Sequence, residues 1–324
     1  MLPSALIILF GIQLLMVSSV SPSLVPRQII SWLIGIVLFF IGKQANYRQL
    51  YQYRFHILIA ALVFVILPII FGELTRGSHR WISIGPLNLQ PSEIIKPLLM
   101  TFFSFNHLPI LGFLPILVVL LQPDLGTSLT LFCLAIPLIF INKTNFYRFL
   151  LVTLFFIVLS PFVYQYGLKP YQRQRITNFL EPRSDPTGAG YNVIQSQIAI
   201  GSGGLLGKGF KQGTQGQLKF LPEKHTDFIF AATAEERGFV GIFLLIGSYF
   251  LLLRGLLAKF KSLTYFPQKV FTLGITFSIW FQIVVNIGMN LGLLPVTGIP
   301  LPFISVGGSS IMALLFALGI IYSV

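Results

Sequence analysis

The sequence predicts an all-α membrane protein: a polytopic bundle of about ten transmembrane helices with one large extracytoplasmic loop. Three observations predict it. Of 324 residues, 55% are hydrophobic and only 10% charged, with a mean hydropathy of +0.83, whereas a soluble domain is about a quarter charged. Apolar runs of the length needed to cross a bilayer, about 20 residues, recur along the whole chain. Only one connection between them is long. This excludes a soluble two-domain enzyme, a disordered chain and a secreted disulfide scaffold. The single cysteine, Cys133, lies inside an apolar run and excludes an intramolecular disulfide and a Cys-based metal site.

In chain order, the predicted spans are 3–20, 28–42, 54–72, 92–106, 109–122, 125–141, 148–167, 237–256, 268–290 and 303–323. The first has no basic residue before Arg27 and no small-residue cleavage pattern, so it reads as a retained helix rather than a signal peptide. The fourth and fifth are short and separated only by Asn106-His107-Leu108-Pro109, which reads as a tight hairpin. Pro68, Pro97, Pro115, Pro137 and Pro161 fall inside runs, as membrane helices tolerate. The whole chain, 1–324, reads as one transmembrane domain.

Orientation follows from the basic residues of the short loops. With the N-terminus inside, Lys43, Arg48, Arg54, Lys143, Arg148, Arg254, Lys259, Lys261 and Lys269 are cytoplasmic, while the short outer connections carry only Arg27, Arg76 and Arg80. Both termini are therefore expected in the cytoplasm. The nine inner basic residues have no acidic company and serve topology and anionic lipid contact. All nine acids fall on the outer side, among thirteen basic residues. The total of +13 would suggest nucleic acid in a soluble protein; the split points instead to an anionic partner at the outer membrane boundary, and to chemistry on that side.

The first outer loop holds Arg80 and Trp81; a Trp beside an Arg reads either as an interfacial anchor or as a binding pair. Glu93 and Lys96 stand three apart, on one face of the fourth helix. Ionisable groups inside a span pair with each other and mark functional sites, though a purely structural ion pair accounts for them equally. Asp124 precedes the sixth helix as a cap or lines the same cavity.

The large loop, 168–236, carries Arg173, Arg175, Arg183, Lys208, Lys211, Lys219 and Lys224 with Glu181, Asp185, Glu223 and Asp227 between them. Residues 191–200 read as a short amphipathic element lying against the membrane. Gly201 to Gly209, GSGGLLGKG, fails as a phosphate-binding P-loop and as a dinucleotide fingerprint, and reads as turns that let the backbone approach a partner. The segment LPEKHTDFIFA, 221–231, is richest in chemistry. Its Asp227 meets an aromatic run returning to the membrane; partial desolvation raises such a carboxylate's pKa and Lys224 lowers it, an environment that suits a general base. His225 lacks companions for a metal site.

The stretches QPSEIIKP (90–97), QPDLGTSL (122–129), DPTGAGYNVIQSQIAIGSGGLLGKG (185–209), GTQGQLKFLPEKHTDFIFA (213–231) and GLLPVTGIPLPFISVGGSS (292–310), in this order, resemble the SEDS family of cell-wall polymerases. Within it, GTQGQL before FLPEKHTDFIF and Gln122 before Pro-Asp-Leu-Gly resemble the elongation branch, RodA, more than the division branch, FtsW. One departure is Val306, where the family usually has tyrosine, which puts a side-chain hydrogen bond there in doubt.

The resemblance implies a peptidoglycan glycosyltransferase of the bacterial cytoplasmic membrane acting on lipid II, the undecaprenyl-pyrophosphate disaccharide-peptide. The acceptor 4-hydroxyl attacks the donor anomeric carbon with inversion and the lipid pyrophosphate leaves. It places the essential aspartate on Asp227, with His225 and Thr226 beside it in the motif. It also implies a class B penicillin-binding protein, a transpeptidase, as partner. Arg80, Lys96, Arg173, Arg175 and Lys224 are then candidates to stabilise the leaving pyrophosphate, alone or with a divalent cation (Mg or Mn). Glu93 and Asp124 would position substrate or share that cation with Asp227. Two readings of other kinds stand beside it. A flippase or transporter of the lipid-linked precursor is compatible with ten helices and the Glu93/Lys96 pair, but expects a midplane site between repeats, and no repeat is visible. A non-catalytic scaffold of the cell-wall machinery needs only the exposed apolar surface.

Overall fold

The computed structural model describes residues 2–75, 78–85, 87–105, 109–122, 124–141, 179, 189–218, 220–221 and 223–323. The predicted span 148–167 lies outside them, as do Arg173 and Arg175. The other nine predicted spans all overlap helices, although the last helix begins at Gly308 and not at 303. These are α1 (Leu2–Val20), α2 (Val25–Lys43), α4 (Arg54–Phe71), α5 (Pro91–Ser104), α6 (Phe113–Leu121), α7 (Leu125–Ile141), α10 (Ile229–Ser262), α11 (Phe266–Asn290) and α12 (Gly308–Ile321). Short helices α3 (Tyr47–Gln52), α8 (Ala189–Ser202) and α9 (Thr214–Gln217) lie between them. Among the described residues, five helical segments are long and apolar enough to cross a membrane. At 1.5 Å per residue, the 14-residue α5 and 9-residue α6 are too short to do so; residues 106–108, where the hairpin turn is expected, lie outside the described residues.

Helix α5 sits at the centre, packed by α4, α7, α11 and α12, and nearly all its residues are buried. Helices α2 and α12 make the closest pairing. A Cβ at Gly42 would stand 2.6 Å from the Phe316 carbonyl and one at Gly319 2.2 Å from that of Phe39, so the backbones touch, the small-residue contact that association in lipid favours. Outward faces are apolar: Leu33, Val37 and Phe40 on α2 are exposed.

Among the described residues, one element departs from an all-α chain. Residues 73–89 form a three-stranded antiparallel sheet, β1 (Glu73–Thr75), β2 (Ser78–Ile84) and β3 (Leu87–Leu89), in that order. Gly85, at φ +57°, turns β2 into β3. Strand β2 packs on α4 and α5, placing Arg80 at the end of the bundle where α5 begins.

One loop expectation is corrected. The large loop does not run to 236: α10 begins at Ile229, and Ile229–Glu236 are buried. The amphipathic element forms α8, which packs on α10 and α11; its Ser196 hydroxyl donates to the Asn290 carbonyl at 2.8 Å.

The glycine-rich stretch explains why α10 starts early. At Gly238 the helix breaks (φ 62°, ψ −161°), which strands carbonyls before and amides after the break. The stretch satisfies them: Lys208 and Gly209 N–H donate to the carbonyls of Glu235 and Glu236 (2.9 and 3.1 Å), and Phe239 and Val240 N–H donate to those of Gly204 and Leu205 (2.9 and 3.1 Å). Glycine is needed because the two chains run backbone on backbone. A Cβ at Gly203 would lie 2.0 Å from the Ala234 carbonyl, whereas one at Gly201 meets nothing within 4 Å. The same substitution two residues apart should thus have opposite signs. Gly201→Ala in a helix should be neutral or stabilising by up to about 1 kcal/mol, and Gly203→Ala should destabilise by about 1–3 kcal/mol through overpacking. Thermal melting in detergent measures both.

Candidate functional site

Residues 223–228 form a tight turn. Glu223 sits at φ +53°, and its carbonyl accepts from three successive amides, Thr226, Asp227 and Phe228, at 3.1, 3.1 and 3.2 Å. The Thr226 hydroxyl adds a bond to the Glu223 carboxylate at 3.2 Å. The turn leaves the Asp227 side chain half-buried, and Phe228, buried, anchors it from below.

Two other segments hold this turn. From α11, Asn286 and Asn290 each donate from Nδ2 to the Asp227 carbonyl, at 3.2 and 3.0 Å. Asn286 also reaches the Ile299 carbonyl at 2.8 Å, and Asn290 Oδ1 accepts from Ala231 N–H at 3.3 Å. Both asparagines are fully buried. From the connection between α11 and α12, the Ser305 hydroxyl donates to the Thr226 carbonyl at 2.6 Å and accepts from Leu301 N–H at 2.8 Å. Val306 N–H donates to the His225 carbonyl at 2.9 Å. The contact at 306 is therefore made by the main chain, and valine serves it. Behind it, Gln13 of α1 donates to the Ser305 carbonyl at 3.2 Å.

The same connection ties Asp227 to the second group of site residues. A Cβ at Gly298 would stand 3.7 Å from Asp227 Oδ2, and one at Gly126 2.6 Å from the Thr297 carbonyl. Residues 297–298 thus lie between Asp227 and the start of α7, where Asp124 stands. Asp124 caps α7, accepting from Thr127 N–H at 3.1 Å and its hydroxyl at 2.9 Å. It also pairs with Arg80 at 3.6 Å and accepts from Gln90 at 3.4 Å, so cap and cavity-lining roles coincide. The chemistry available here is the half-buried Asp227 carboxylate, with the Arg80–Asp124 ion pair across residues 297–298 from it.

The remaining predicted residues are placed as follows. Glu93 and Lys96 form an ion pair at 2.6 Å, each 2% exposed; it lies inside the bundle, in the first turns of α5. Lys224 Nζ donates to the Gly216 carbonyl at 2.6 Å. His225 contributes its main chain, and Trp81 lies half-buried in β2. Among the described residues, no three His, Cys, Asp or Glu side chains converge as a metal group. The asparagines that hold the Asp227 turn are absent from the residues expected from sequence, although Ser278, Gln282, Asn286 and Asn290 recur every fourth residue along α11, a polar stripe in an apolar span.

An apolar cleft of about 390 Å³ opens between α2, α5 and α12, lined by residues including Ile34, Leu38, Ile94, Pro97 and Met312.

Residues 4–324 match the family model of FtsW, RodA and SpoVE, described as cell cycle proteins. The chain is 39% identical over 305 residues to the peptidoglycan glycosyltransferase MrdB of Escherichia coli, covering 90% of this chain and 82% of that one. It is 36% identical over 318 residues to the stage V sporulation protein E of Bacillus subtilis, covering 92% and 86%. Among solved structures, one described as "Structural coordination of polymerization and crosslinking by a peptidoglycan synthase complex" superposes with a TM-score of 0.83 at 35% identity, covering 99% and 95% of the two chains. The rod shape determining protein RodA of Thermus thermophilus superposes with a TM-score of 0.71 at 29% identity, covering 99% and 94%.

Replacing Asn290 by Ala leaves the Ala231 amide and part of the Asp227 carbonyl's bonding unmet, at a cost of about 1–3 kcal/mol for a buried unsatisfied group. The variant should melt lower in detergent and lose turnover more than substrate affinity, because the Asp227 turn loosens. Unchanged turnover in a correctly folded Asn290→Ala protein would detach the asparagines from the site.

Proposed function

The chain belongs to the cell cycle protein family of FtsW, RodA and SpoVE, and on that premise we propose how it acts. It is a peptidoglycan glycosyltransferase, a bacterial inner-membrane enzyme that polymerises lipid II. In our reading its general base is Asp227. The observation carrying this is a half-buried carboxylate whose own main chain is fixed from two sides, by Asn286 and Asn290 and, through Thr226, by Ser305. A base must stand within hydrogen-bond reach of the proton it takes, and such fixing sets where it stands.

The acceptor's 4-hydroxyl oxygen attacks the donor anomeric carbon as its proton passes to Asp227. The bond to the lipid diphosphate breaks on the opposite face, inverting the configuration. Lys224 and Arg80, with Arg173 and Arg175 from the large loop, supply the positive charge that steadies the departing diphosphate. Glu93 and Lys96, locked in their own ion pair, act on the site by fixing the start of α5, from which Gln90 reaches Asp124. A divalent ion, Mg or Mn, would be held mainly by the diphosphate and water with one carboxylate of the site, the mode Mg²⁺ prefers, since the described side chains form no ligand group of their own. Within this reading the apolar cleft beside α5 gives the polyprenyl tail a lipid-side surface.

The positive inner loops support cytoplasmic termini and an outward-facing site. The higher identity to MrdB than to the stage V sporulation protein supports the elongation role, and the match to a peptidoglycan synthase complex supports work alongside a class B penicillin-binding protein that crosslinks the strands.

The test is polymerisation of purified lipid II by the full-length protein in detergent, read as glycan ladders on a gel. Asp227→Asn should abolish the ladder, a loss of about 10²-fold or more, at unchanged melting temperature. A full ladder from the variant would remove Asp227 from the chemistry. Transbilayer movement of labelled lipid II in vesicles that survives Asp227→Asn, with no ladder from the wild type, would favour the flippase instead.

A further inference from the structure

Two adjacent buried carboxylates lie outside the site described above. Glu235 is 0% and Glu236 2% exposed, and each gathers donors from the 203–218 segment, but they reach different things. Glu235 Oε1 accepts from Lys208 Nζ at 2.7 Å, the Thr214 hydroxyl at 3.0 Å and Gln215 N–H at 2.9 Å, and Oε2 accepts from Gly216 N–H at 3.2 Å. Four donors, one of them an ammonium, suit the ionised, acceptor-only form. Glu236 instead ties the segment to α1, accepting from the Ser19 hydroxyl at 2.6 Å, Lys211 N–H at 3.3 Å and Gln217 at 3.4 Å.

Only Glu235 has a route to the site. The Gly216 peptide that donates its N–H to Glu235 belongs to a residue whose carbonyl accepts from Lys224 Nζ at 2.6 Å. Gly216 is clasped closely: a Cβ there would stand 3.9 Å from Glu235 Oε2 and 4.0 Å from Lys224 Cδ. Glu235 thus holds the N–H side of Gly216 and Lys224 its carbonyl side, so the placing of this one residue links the two, and Lys224 is three residues from Asp227 on the same turn. We propose that Glu235 is a positioning residue for glycosyl transfer: acting through Gly216, it sets where the Lys224 ammonium stands and thereby how the enzyme grips the diphosphate of its lipid-linked donor. This rests on the reading of Lys224 as a cation for that diphosphate.

The experiment is a double-mutant cycle on the full-length protein with purified lipid II, measuring KM and kcat for wild type, Glu235→Gln, Lys224→Gln and the double variant. Each single change should raise KM about tenfold, the equivalent of weakening one charge-assisted bond. The double variant should be no worse than the worse single, because both remove one interaction. Glu236→Gln, which loosens the same segment at the α1 side, should multiply with Lys224→Gln instead. Should Glu235→Gln not fold, judged by melting and size-exclusion, Glu235→Asp keeps the charge, withdraws it from Gly216, and enters the same cycle. Multiplying effects for Glu235 and Lys224, or a Lys224→Gln variant with wild-type KM, would overturn the proposal. Asp227→Asn in the same assay tests the polymerase reading separately, since its failure would not depend on how the cycle closes.

Discussion

Two carboxamides on one face of α11 hold the part of this molecule where regular structure ends. Asn286 and Asn290, one helical turn apart, bind the Asp227 carbonyl together, and Asn286 takes the Ile299 carbonyl as well. Irregular backbone at the end of a membrane bundle must find its hydrogen bonds within the protein. Here the turn at 223–228 and the connection at 291–307 find them in each other and in this pair. With those bonds in place, Asp227, the 297–298 segment and the start of α7 share one corner of the fold, and Asp124 and Arg80 come with it.

The charge distribution gains structural meaning from this arrangement. The acids do distinct work: Glu93 neutralises Lys96 inside the bundle, Asp124 caps α7 and meets Arg80, and Glu235 and Glu236 secure the 203–218 segment to α10 and α1. Asp227 presents its side chain from a turn whose main chain is engaged by α11 and by the connection before α12. An excess of basic residues, in a chain with a carboxylate so held, fits an anionic lipid-linked substrate better than a nucleic acid.

Much of the fold was legible in the sequence because lipid imposes length and composition on every span, and nine spans met helices accordingly. What escaped has physical reasons. The early start of α10 depends on a break at Gly238 repaired by a distant strand of backbone, and no local pattern announces such a partnership; GSGGLLGKG announced only close approach. The sheet at 73–89 has strands of three, seven and three residues, too short for a period of two to stand out in the sequence. In the site, Asp227 was readable from its boundary position and its motif. The asparagines were not, although their four-residue spacing was in view, because polar residues in an apolar span do not reveal which backbone they serve. Val306 shows the reverse: a departure in side chain left a main-chain bond untouched.

The Asp227 turn is held rigid by its neighbours, and the site depends on that rigidity. Amide hydrogen exchange over residues 223–230, followed by mass spectrometry in detergent, tests it most directly. In the wild type these amides should exchange as slowly as those of α11, and in a doubly substituted Asn290→Ala, Ser305→Ala protein they should exchange at loop rates while α11 stays protected. Rapid exchange in the wild type, or unchanged protection in the variant, would contradict it.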